Sequence, residues 1–119
     1  MTGPLTGKLV RDRIPDTIRE SGREPVVRRL DAEEFRPALL AKLAEESAEL
    51  AAAAGPDVLG ELADVLEVLR ALTEDSGLAW AEVEDQARGK ARERGAFRER
   101  WFLESAPPEE PEPQEPASE

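Results

Sequence analysis

The sequence predicts an all-α protein, a helical bundle built on an antiparallel helical hairpin, and three observations carry that prediction. Between residues 31 and 94 apolar residues recur at spacings of three and four, the helical period. Gly55-Pro56 divides the longest such stretch with a turn so short that the two helices must be antiparallel neighbours. Nothing repeats internally, and only residues 23–30 read as extended.

The elements follow in order. "KLVRDRIPDTIRESG" (8–22) predicts a short N-terminal helix entered near Asp12 or Pro15 and ended by Gly22. Pro25 and the Val26-Val27 pair make residues 23–30 an extended segment. Asp31 is a good N-cap, and Glu33 and Glu34 fall in the first turn, where the helix dipole favours acids. The first long helix then runs to about Ala54, with Pro37 near its first turns. A second long helix covers about Asp57 to Ser76 and is closed by Gly77. A third runs from about Ala79 to Arg94, before Gly95.

A chain of 119 residues has room for one domain, here residues 1–104. Residues 105–119, "SAPPEEPEPQEPASE", hold five Glu, five Pro and no basic residue, and are expected to form a disordered tail. That tail carries five of the eleven net negative charges, so the folded part stands near −6 and is a poor partner for a nucleic-acid polymer. Without Cys or His there is no disulfide, thiolate site or imidazole ligand, and any metal must be a hard cation held by oxygen. No apolar run has membrane-spanning length and the N-terminus lacks a signal-like stretch, so a cytoplasmic protein with no membrane partner is expected.

The acids on the two long helices are not all on solvated faces. With residues about 100° apart, Phe35, Leu39, Leu43 and Leu50 define one apolar arc, and Glu46 falls inside it. Val58, Leu62, Val65, Val68, Leu69 and Leu72 define another, and Glu61 falls inside that one. Glu49 and Asp64 stand at the borders, each about 60° to the same rotational side of its partner. Glu46 and Asp64 are equidistant from Gly55, as are Glu49 and Glu61, so antiparallel packing sets each pair level. Four converging carboxylates repel one another unless a divalent cation sits among them. By position alone Glu45, Glu67, Glu74 and Glu82 lie on solvated faces.

An oxygen-only site with free positions suits Mg2+, with Mn2+ a possible substitute, and takes phosphates as further ligands. Cations for those phosphates are available at Lys90 and Arg94, one turn apart, and at Lys8, Arg11 and Arg13. Phe35, Trp80, Phe97 and Trp101 read as core or interface aromatics ahead of base-stacking ones.

E-E-x-x-E (Glu45, Glu46, Glu49) followed by E-x-x-D (Glu61, Asp64) resembles the signature of the MazG-like all-α nucleotide pyrophosphohydrolases. "KLVRDRIP" and K-x-x-x-R-G-x-F (Lys90, Arg94, Gly95, Phe97) resemble its phosphoribosyl-ATP pyrophosphohydrolase-like subgroup, with Ala96 where a second Gly is expected. The resemblance spans roughly residues 8–103. It implies a Mg2+-dependent enzyme that hydrolyses a nucleoside triphosphate to monophosphate and pyrophosphate. Glu46, Glu49, Glu61 and Asp64 match the family's metal ligands. Glu45 matches a position that orients the attacking water or binds a second metal, and Lys90 and Arg94 would steady the departing pyrophosphate. It also implies a homodimer or homotetramer, with which the wide apolar arc of residues 58–72 agrees.

A ferritin-like di-iron protein is excluded by the missing His. A helical interaction module predicts acids outside the apolar arcs, against Glu46 and Glu61. The remaining alternative is a non-catalytic metal- or nucleotide-binding helical module.

Overall fold

The structure is a computed structural model that describes residues 7–108. Residues 1–6 of the expected domain and residues 109–119 of the expected tail lie outside the described residues. Four helices appear and, among the described residues, no strand: α1 (Ile14–Glu20), α2 (Ala32–Ala52), α3 (Asp57–Asp75) and α4 (Trp80–Arg94). The all-α expectation is met.

Local chemistry explains where each helix begins and ends. Pro15 stands in the opening turn of α1, where its missing N–H costs nothing. Asp31 caps α2: its Oδ1 accepts from the Glu34 amide at 2.9 Å, while Glu34 Oε1 accepts from the Asp31 amide at 3.2 Å. Arg28 holds the same Glu34 carboxylate through both oxygens, at 3.1 and 2.8 Å. α2 carries Pro37 near its first turns, as the sequence predicts, and stops two residues short of Ala54. Gly55 turns the chain with φ of 57°, a left-handed conformation that glycine adopts without a Cβ penalty.

α2 and α3 form the antiparallel hairpin, with the largest helix–helix interface among the described residues. Its far end is clasped by Arg36, whose guanidinium reaches Asp75 at 3.3 Å and the Ser76 hydroxyl at 3.1 Å. Ala38, Leu39 and Val68 are the buried apolar residues at its centre, and Glu46 is buried with them. α4 leans on α3, and the Arg70 guanidinium lies over the Trp80 ring at 5.1 Å from its centroid.

The wide arc of α3 divides between two directions. Val68 is buried and Val58, Val65 and Leu72 are half-buried. Leu59, Leu62, Leu66 and Leu69, spaced as a three-four-three stripe, are all exposed, so Leu62 and Leu69 are less inward than the periodicity predicts. Phe97, Trp101, Phe102 and Leu103 after α4 are exposed as well, while Phe35 and Trp80 are half-buried.

Candidate metal centre

Where α2 and α3 face each other, Glu46, Glu61 and Asp64 each present a carboxylate oxygen, and these atoms all lie within 4.8 Å of one another. Glu46 and Asp64 stand nine residues on either side of Gly55, so the hairpin brings them level, as the sequence predicts. Glu46 is only 7% exposed. Its Oε2 atom and that of Glu61 are buried without a hydrogen-bond partner. A buried orphan carboxylate oxygen is costly, and a cation held by the cluster would satisfy both of these.

Electrostatics point the same way. Burial pushes the Glu46 carboxyl above its ordinary value, and the neighbouring Glu49 carboxylate adds to the rise as hydrogen-bond acceptor and as charge. Lys42 opposes the rise and Asp64 reinforces it. Lys42 Nζ lies 3.5 Å from Glu46 Oε1 and 3.3 Å from Glu45 Oε2. Asp64 has its own cation: Arg11 Nη2, from the segment before α1, is 2.7 Å from Asp64 Oδ1.

The fourth predicted ligand stands differently. Glu49 is exposed and outside the trio, beside Glu46 and on the wall of an adjoining open groove of about 520 Å3. Asp57, Glu61 and Asp64 also line this groove, and Ala52, Ala53 and Gly60 leave it room. Asp57 and Lys42 are thus neighbours of the centre that the arc argument passed over. Lys42 was legible from its three- and four-residue spacing to Glu45 and Glu46.

Glu45, expected on a solvated face by its position, is half-buried against Lys42. Of the predicted phosphate-binding cations, only Arg11 touches the acidic trio among the described residues. Lys8, Lys90 and Arg94 are exposed, and none lines the groove.

All the donors are carboxylate oxygens, the set that hard divalent cations prefer, and the residues present fit Mg2+ or Mn2+.

An uncharacterized protein of Mycolicibacterium smegmatis is 63% identical to this chain over 46 residues, 39% of the chain. The match spans 47% of that protein, about half its length. No family model matches the chain. No solved structure matches it. No helix of the described residues is long and apolar enough to cross a membrane.

Proposed function

We propose that the chain is a cytoplasmic, Mg2+-dependent nucleotide pyrophosphohydrolase of the MazG-like kind, converting a nucleoside triphosphate to its monophosphate and pyrophosphate. One observation carries this reading: the buried, unpartnered Glu46 oxygen facing Glu61 and Asp64 beside an open groove. When bound there, the cation supplies charge neutralisation for a phosphate chain and acidifies water, so no histidine is required.

The chain's own residues divide the remaining tasks. Glu46, Glu61 and Asp64 would hold the cation, with Glu49 beside them on the groove wall as the fourth carboxylate. Glu45, fixed by Lys42, orients water or takes its proton. Arg11 and Lys8 serve the phosphate oxygens, and Lys90 and Arg94 the departing pyrophosphate. Pyrophosphate release over a panel of nucleotides with Mg2+ tests the reading. Turnover of at least one nucleotide is expected.

A second reading has an observation of its own. The groove lining contains acids but no Lys or Arg, as suits a non-catalytic module that holds a metal or a metal-bound nucleotide. Metal binding without turnover of any nucleotide in the same panel would select it.

We also propose that a second copy of the chain covers the exposed Leu59, Leu62, Leu66 and Leu69 stripe. The three-four-three spacing is that of a coiled-coil seam. Few monomers of 13.1 kDa leave four such leucines and Phe97, Trp101 and Phe102 in water.

A further inference from the structure

We propose that Arg11 is a metal-displaced gate: in the metal-free chain its guanidinium occupies Asp64, and cation binding releases it to grip the phosphate that follows. This deepens the metal-centre reading and rests on it. The geometry begins with the 2.7 Å ion pair, which spans 53 residues of sequence and ties the segment before α1 to α3. Among the described residues α1 packs against no other helix, and this side-chain contact joins the segment before it to the hairpin.

Charge explains why the pair forms and why it is replaceable. Asp64 shares the trio with the nine-tenths buried Glu46, whose Oε2 has no partner. Lys42 serves Glu45 and Glu46 and leaves Asp64 to another cation. Arg11 fills that place from outside, with 56% of its side chain exposed, so the pair is screened and weak. A divalent cation on Asp64 repels a guanidinium at hydrogen-bond distance and competes for the same oxygen. Once displaced, Arg11 remains next to Asp64, which lines a groove with no basic residue of its own, and its planar donors match phosphate oxygens.

One residue therefore has opposite effects on two ligands, which a merely structural arginine does not. Mn2+ binding is measured by titration calorimetry on the full chain, followed by inorganic pyrophosphate binding to the Mn2+-loaded chain. An exposed ion pair is worth about 0.2–1 kcal/mol, a factor of about 1.4 to 5, so Arg11→Gln is expected to tighten Mn2+ by that factor and to weaken pyrophosphate by a similar one. Arg11→Lys keeps the charge and should hold Mn2+ affinity near wild type while recovering only part of the pyrophosphate affinity. Mn2+ affinity that is unchanged or weaker in Arg11→Gln overturns the gate, as does unchanged pyrophosphate affinity. A wild-type chain with no saturable Mn2+ binding overturns the metal centre itself, and the gate falls with it.

Discussion

Lys42 lies one helical turn before Glu46, its ammonium 3.5 Å from the buried carboxylate and itself only 17% exposed. It is the internal counter-charge that lets α2 carry an acid into an apolar arc. Removing it leaves Glu46 buried with Glu49 and Asp64 pushing against it. Lys42→Met should therefore destabilise the metal-free chain by about 1–2 kcal/mol, between the near-zero worth of surface pairs and the 3–5 kcal/mol of fully buried ones. Mg2+ should restore most of that loss. Urea melts in EDTA and in Mg2+ measure both, and a variant as stable as wild type in EDTA would show Lys42 to be idle.

The pH dependence has two limbs of opposite sign. Burial and Glu49 hold the folded-state pKa of Glu46 above its ordinary 4.5. Folding therefore favours the protonated form, and this contribution is full below the unfolded pKa and lost as pH rises through the raised value. Glu34 behaves in the opposite way: the Arg28 hydrogen bond, helped by the Asp31 amide, lowers it to about 2. Its contribution is present above 4.5 and lost as pH falls toward 2. The metal-free melting temperature should thus peak in mildly acidic solution, and Mg2+ should lift the limb on the alkaline side alone. Thermal melts across pH with EDTA or Mg2+ test this. A Mg2+ effect as large at acid pH as at neutral pH would contradict it.

Glu61→Gln separates a ligand from a structural residue. The amide has the same shape but no charge to offer a cation. Helicity should stay at the wild-type level, while Mg2+ stabilisation and nucleotide hydrolysis should both disappear. Far-UV dichroism and melts read the first two. Loss of helicity together with activity would make Glu61 a packing residue.

Much of this centre was legible because a short turn converts sequence distance into spatial level. Glu46 and Asp64 needed only equal separation from Gly55, and the Arg36–Asp75 clasp keeps the same register at the far end. Glu49 escaped the same logic. It stands at the border of its arc as Asp64 does, yet its side chain is exposed and outside the trio, a difference that angular position alone does not encode. Periodicity also assigned Leu62 and Leu69 inward, since a single chain's pattern does not say whether a face meets its own hairpin or a partner. Arg11 reaches Asp64 through an irregular segment, where no period fixes which side chain meets which helix.

The exposed stripe gives a prediction about assembly. Wild-type protein should elute at a multiple of 13.1 kDa in light-scattering chromatography at micromolar concentration. Leu62→Glu with Leu66→Glu places like charges in the seam and should yield monomer, with little strain on the hairpin because both side chains are already exposed. A wild-type monomer would remove the second copy from the proposal.

The remaining prediction concerns the bond that is cut. Glu61 and Asp64 bring the trio's charge to the groove wall, so a cation held there would meet a phosphate chain lying in the groove. Arg11 stands beside Asp64 rather than far along the groove, and the chain has no Gly-rich loop to enclose a terminal phosphate. The scissile bond should then be the one between the α- and β-phosphates, leaving a nucleoside monophosphate and intact pyrophosphate. Chromatography of the products from any accepted triphosphate decides the point. Nucleoside diphosphate with orthophosphate would overturn the pyrophosphohydrolase assignment while leaving the metal centre standing.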